Sequence, residues 1–290
     1  MRTSLKNITP LAIILLVMTL FACSSDKNYP IDTNSSPQEE TIASEDAFIK
    51  KAGELHNDIL YYAEEIIKEK GYPTEISSQQ ARSLIDTSVR TIVERYINET
   101  QGRPMTSAEK ATFSNVMNKY SGNTKLHGLM NTISNTNISS TGNKDLNSLY
   151  SQLNIHTDAR KYFNKLLSLL NNENFKSSAN QLYKEVQNSS LPEYEKQHTL
   201  TVISIGINSY DYWKRPDFGG PQTRLSNADA NRVIKKDMLG ALGGFIRGLT
   251  IGKPGLIFGP GGYAATLIGH TLIWGAAASV ERGLELGWDI

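Results

Sequence analysis

The 290-residue chain has one cysteine, Cys23. A single thiol excludes an intramolecular disulfide, a cysteine-based metal site and thiol chemistry anywhere else in the chain. A dominant charge is also missing, since 30 Lys and Arg stand against 29 Asp and Glu, a net of +1. Such a balance gives no basic field to attract nucleic acid or anionic lipid. The N-terminal apolar run, Leu11 to Phe21, falls short of the roughly twenty residues that a bilayer-spanning helix needs. Period-two alternation of the strand type is absent, and so are HExxH, GxxxxGK[ST] and G-x-S-x-G. Without them the zinc-protease, phosphate-loop and serine-hydrolase readings have no support.

What is present begins with Arg2 and Lys6, an apolar stretch from Leu11 to Phe21, and Ala22-Cys23. A positive start, a short apolar region and a small residue at the cleavage point make a removable export signal, residues 1–22. Leu20-Phe21-Ala22-Cys23 resembles the bacterial lipobox, in which the cysteine is acylated and becomes the new N-terminus. Signal cleavage is thus expected after Ala22 and lipidation at Cys23. Removing Arg2 and Lys6 leaves 28 bases against 29 acids, a net of −1. Residues 23–43 are polar, with Pro30 and Pro37, and read as a lipidated flexible tether.

Residues 44–213 read as a helical bundle. Phe48, Ala52, Leu55, Ile59, Tyr62 and Ile66 form one apolar stripe on a helix from Ser44 to Lys70. Leu84, Ile85, Val89, Ile92, Val93 and Tyr96 repeat the pattern over Ser78 to Glu99. Thr106-Ser107-Ala108-Glu109 is a capping box opening a third helix, to about Tyr120. The Asn/Ser/Thr/Gly-rich stretch 121–144 reads as a long loop with a short helical turn near Leu126 to Ile133. Helical spacing returns over Asp145–Asn154, Asp158–Asn171 and Asn174–Asn188, and Pro192-Glu193 opens a helix to Trp213. The expected class is all-α, a helical bundle with a C-terminal glycine-rich hairpin.

A linker, 214–225, leads to that hairpin, 226–290. Gly240, Gly244, Gly248 and Gly252 fall four apart, on one slowly drifting helical face; Gly255 and Gly259 continue the spacing in a second phase. Each glycine costs about 1 kcal/mol against alanine in a helix, so the bare face must serve close backbone approach. Pro254 and Pro260-Gly261-Gly262 make a turn, and a second arm runs from Tyr263 to Val280 with Gly269 among its small residues. Residues 255–280 contain no Asp, Glu, Lys or Arg, a stretch long enough to span a bilayer. Three readings stay open: a hairpin packed within the bundle, a membrane-inserting hairpin, and a self-associating zipper. Arg247, Lys253 and the Gly/Pro interruption weigh against insertion.

Chemistry-bearing residues are sparse. Gly53-Glu54-Leu55-His56-Asn57-Asp58 concentrates polar groups, but neighbouring helical positions point apart. His56 and Asn57 are therefore expected to be polar anchors bonding a neighbouring helix end. His127, His156, His198 and His270 show no metal-ligand spacing, and His270 is expected to be a satisfied interior donor. Tyr210, Tyr212 and Trp213 form an aromatic plug at a helix end, or a belt at a membrane surface. No catalytic residue, metal or cofactor is implied. The segment GELHNDIL, the helix from Glu195 to Trp213 and the Gly-rich tail after Asp237 together resemble a family of uncharacterised Bacteroidota lipoproteins. That resemblance implies an envelope location and no assigned activity. The expectation is a non-catalytic, lipid-anchored envelope protein, most naturally in the outer membrane on its periplasmic or outer face. Its partners would be the membrane through lipid and a protein or second copy through the hairpin. A membrane-inserting antagonist is the first alternative and an envelope-polymer enzyme the second.

Overall fold

The computed structural model describes residues 37–70, 78–122, 124–135, 144–153, 155–215, 226–250 and 262–285. Among them are ten helices and no strand: α1 Pro37–Lys70, α2 Ser78–Gln101, α3 Ser107–Ser121, α4 Thr124–Asn135, α5 Lys144–Gln152, α6 Thr157–Leu169, α7 Phe175–Gln187, α8 Glu193–Trp213, α9 Asn227–Thr250 and α10 Gly262–Glu285. The chain divides into Met1–Glu40 and Thr41–Ile290. Of the first unit only the opening of α1 is described, and the fold below is that of the second.

The helices form where apolar residues recur at three- and four-residue spacing. α1 buries Ile49, Ala52, Leu55, Ile59, Ala63 and Ile66 along one side, and α2 buries Leu84, Ile85, Val89, Ile92, Val93 and Ile97. Each such Ile or Leu contributes about 1.5–3 kcal/mol on burial. Gly102 ends α2 in the left-handed region at φ 64°, with its N–H bonded to the Asn98 carbonyl at 2.9 Å. The Thr106 side chain caps α3 by accepting from the Glu109 backbone N–H, while the Glu109 carboxylate accepts from the Thr106 backbone N–H. Arg103 closes the box from outside, 2.7 Å from Glu109.

Three helices sit at the centre. α8 is buried almost all round from His198 to Gly206, α9 from Val233 to Gly244, and α10 from His270 to Val280. α10 packs on α9, α8, α2 and α3; α9 packs on α8 and α4; α8 also meets α6 and α7. Residues buried on every side belong to a helix surrounded by protein, and the amphipathic helices supply that coat.

Two expectations need correction. The first helix starts at Pro37, seven residues before Ser44, so the end of the segment read as tether is helical. Proline suits a first helical turn, and Glu39 and Glu40 favour the positive helix start. The stretch 121–144 holds a three-turn helix, α4, rather than a loop with one turn, because Met130 and Ile133 are fully buried. Polar composition outweighed a stripe that tertiary packing uses. The two hairpin arms α9 and α10 pack against α8 inside one compact unit.

Candidate functional site

The α9–α10 hairpin is joined backbone to backbone. A Cβ added at Gly240 would lie 2.6 Å from Ala278 Cβ and 2.7 Å from the Trp274 carbonyl oxygen. One at Gly244 would lie 2.8 Å from Trp274 Cβ and closer still to the His270 carbonyl oxygen. Gly248 and Gly269 fall within α9 and α10, while Gly252, Gly255, Gly259, Ala22 and Cys23 lie outside the described residues. Two glycines not singled out from the sequence lie at other close approaches, one to backbone and one to a side chain. Gly53 on α1 faces Ser204 of α8, whose carbonyl oxygen would sit 2.7 Å from an added Cβ, and Gly206 on α8 faces Met238 Sδ at 2.7 Å. Glycines thus mark the crossings α1–α8, α8–α9 and α9–α10.

At these crossings a polar cluster is enclosed. Asp237 of α9, Ser209 of α8, His56 of α1 and Ser279 of α10 are each 0% exposed. The Ser209 hydroxyl donates to Asp237 Oδ2. His56 Nε2 stands 3.6 Å from the same oxygen, beyond hydrogen-bond range. Trp213 Nε1 donates to Ser279 Oγ at 3.1 Å. Burial pushes the Asp237 carboxyl up to about 7, against the lowering pull of Ser209, Ser279, Trp213 and Lys236. Burial likewise lowers His56 to about 4. Asn57 Nδ2 donates to the Asn208 carbonyl, inside α8 rather than at its end, at 2.9 Å, while its Oδ1 faces His56 Nδ1 at 3.2 Å.

The aromatic residues at the α8 end are placed in packing roles. Tyr210 stacks on Phe175 at 4.8 Å. Tyr212 is fully buried and donates to Glu64 Oε2 at 2.9 Å. The Arg215 guanidinium lies over Tyr212 at 4.4 Å and over Tyr61 at 4.9 Å, and pairs with Glu64. Burial alone would raise Glu64, but Lys68, Arg215 and Tyr212 hold its carboxylate below the ordinary value.

A second cluster lies at the end of α10. Glu281 accepts from Tyr120 Oη at 2.8 Å, faces His127 Nδ1 at 3.3 Å and pairs with the fully buried Lys236 at 3.2 Å. Burial raises Glu281, but His127, Lys236 and Tyr120 outweigh it and hold the carboxylate at about 2. His156 caps α6, and His198 is buried. His270 departs from expectation: it is 3% exposed, yet neither ring nitrogen has a hydrogen-bond partner among the described residues. Burial leaves it neutral, lowered to about 4, so it serves as a packing ring rather than a donor.

Sequence reasoning found His56 and Asn57 but missed Asp237, Ser209, Ser279 and Glu281. The available signal was Lys235-Lys236-Asp237, three charges inside the otherwise apolar run Val233 to Leu239. What the cluster can do chemically is limited by its closure. Ser209 donates to a carboxyl rather than to an imidazole base, so it is not an activated nucleophile. No group of three or more His, Cys, Asp and Glu among the described residues could hold a metal ion. No helix among them is long and apolar enough to cross a membrane. No family model, no curated protein and no solved structure matches the chain.

Proposed function

We propose that this chain is a lipid-anchored cell-envelope protein without catalytic activity of its own, whose bundle acts as a rigid partner-binding or structural body. The observation that carries this reading is the closure of the His56–Asp237–Ser209 cluster, each residue 0% exposed. Its polar groups join helices and meet no solvent through which a substrate could arrive. The glycine face at Gly240 and Gly244 is likewise spent on α10 rather than on lipid. Attachment then falls to the lipobox-like segment at Cys23, where two or more acyl chains, at about 0.8 kcal/mol per buried CH₂, give stable anchoring. The resemblance to Bacteroidota lipoproteins supports the same location. Cys23→Ser is expected to move the protein from the membrane to the soluble fraction. Retention in the membrane would overturn the lipid reading, and turnover of an envelope polymer by the purified protein would overturn the non-catalytic one.

One observation favours a second reading, a hairpin that inserts into lipid. The central arm α10 is uncharged from Gly262 to Val280 and is sheathed by amphipathic helices, as an apolar hairpin held in reserve would be. Dye release from vesicles tests it: the protein without its lipid should leave vesicles intact under the main reading, and leakage would favour insertion.

A further inference from the structure

We propose that His127 is a proton-operated clip: as an imidazolium it fastens the start of α4 to α3 and α10, and loss of its proton lets α4 open from the α9–α10 hairpin. This goes beyond the structural role proposed above and does not rest on it. The charge follows from what the two ring nitrogens face. Nε2 stands 2.8 Å from the Tyr120 carbonyl oxygen, and Nδ1 stands 3.3 Å from Glu281 Oε1. A carbonyl oxygen only accepts, so Nε2 must carry a hydrogen to bond it. Glu281 Oε2 already accepts from Tyr120 Oη at 2.8 Å and meets the Lys236 ammonium at 3.2 Å. A carboxyl with a hydroxyl donor and a cation on one oxygen is ionised, so Oε1 also only accepts. Either neutral tautomer therefore sets a ring lone pair against an acceptor, at 2.8 or at 3.3 Å. Only the imidazolium donates to both. The ring centroids of His127 and Tyr120 are 4.4 Å apart, and an aromatic ring attracts a nearby cation.

The clip sits where it controls one short helix. α4 has 12 residues, a length that is marginal for a helix by itself. It is tied to α10 at both ends, by His127 to Glu281 in its first turn and by Asn135, its last residue, which accepts from Arg282. Between these ties Met130 and Ile133 are fully buried, and α4 packs on α9 and α5. Removing the proton turns one of the two ring contacts from a bond into a repulsion and leaves the first turn without its tie.

Other titrating groups surround the clip. From α10, Glu281 faces the ring, and Glu285 lies 3.7 Å from Lys236. Burial raises Glu281, but His127, Lys236 and Tyr120 outweigh it and keep the carboxylate charged down to about pH 2. From α3, Tyr120 is raised well above its ordinary value by burial and by Glu281. From α9, Lys236 shares Glu281 with the ring. Its neighbours change charge near neutral pH: burial lowers Lys235 to about 8 and raises Asp237 to about 7. α4 itself carries Lys125, and α5 carries Lys144 and Asp145 at its start. His56, His198 and His270 are lowered by burial to about 4, 3 and 4 and stay neutral above pH 5.

Amide hydrogen exchange of the purified protein tests this, with each rate referred to the intrinsic rate of that amide at the same pH. The opening constant of α4 should rise about tenfold or more between pH 5.5 and pH 8.5, the effect of losing a hydrogen bond to a charged group. Amides of α7, which packs on α6 and α8, report any change in the whole bundle and should rise less. In His127→Gln, which keeps Lys235 and Asp237, the extra rise of α4 over α7 should vanish, and α4 at pH 5.5 should open as readily as in wild type at pH 8.5. An extra rise that persists in His127→Gln belongs to Asp237 or Lys235 and would overturn the clip. So would α4 protection that is equal at both pH values in wild type. If His127→Gln fails to fold, ¹⁵N NMR of the His127 ring in the wild-type protein decides: hydrogens on both ring nitrogens at pH 6 are expected, and a neutral ring there would overturn the proposal.

Discussion

Gly244 should not tolerate even a methyl group. A Cβ there would lie 2.8 Å from Trp274 Cβ and 2.9 Å from the His270 carbonyl carbon, whereas real Cβ contacts essentially never fall below 3.0 Å. Two of its three nearest atoms belong to the α10 backbone, which cannot rotate aside, so α9 and α10 must move apart. Alanine for glycine gains about 1 kcal/mol of helix propensity, while forced overpacking costs about 1–3 kcal/mol. With backbone as the obstacle the upper part of that range applies, and Gly244→Ala should lose about 1–2 kcal/mol net. Gly240→Ala, facing Ala278 Cβ at 2.6 Å and the Trp274 carbonyl oxygen at 2.7 Å, should behave alike. The control is Gly128, within α4, where nothing lies within 4 Å. Gly128→Ala should therefore gain up to about 1 kcal/mol. Gly102 also has open space, but its φ of 64° makes alanine strained, so Gly102→Ala should lose about 1–2 kcal/mol. Urea midpoints at constant slope measure all four. If Gly244→Ala were as stable as Gly128→Ala, close α9–α10 packing would be refuted.

Other perturbations read different parts of the bundle. Thr106→Ala removes the α3 cap and should lose about 1 kcal/mol in the same urea assay; an unchanged midpoint would deny the capping box a stabilising role. Glu109, drawn down to about 2 chiefly by Arg103, and Glu281, also at about 2, have folded values below the ordinary 4.5. Their stabilisation is present above pH 4.5 and is lost as pH falls toward 2. Urea midpoints between pH 6 and pH 3 should therefore fall less in Glu109→Gln/Glu281→Gln than in wild type, and equal slopes would contradict this.

The legible parts of this fold are those governed by neighbours in sequence. The stripe from Phe48 to Ile66, the Thr106–Glu109 box and the four-residue glycine spacing are each set by contacts within a turn or two, and a helix period exposes them. α4 is harder to read: Met130 and Ile133 carry the right spacing, but the surrounding Asn, Ser and Thr favour a loop. Those residues are poor helix formers in isolation, and burial of Met130 and Ile133 overrides the weak preference.

Gly53 and Gly206 belong to another class. A lone glycine in a helix carries no spacing to reveal its use, and its meaning lies in the helix that crosses it. The His56–Asp237 pair is the extreme case. Its members come from α1 and α9, and Ser209, which donates to Asp237, comes from α8, so no local rule could join them. What the sequence did contain was half of an argument. An acid inside a run that must be buried, Val233 to Leu239, has to find a cation, a set of donors or a proton. His56 presents the complementary problem, an imidazole on the apolar side of α1 beside Leu55 and Ile59. Burial pushes both toward their neutral forms, the acid up to about 7 and the imidazole down to about 4. A buried acid and a buried base in helices of one bundle are therefore to be tested as a pair before either is assigned a separate role.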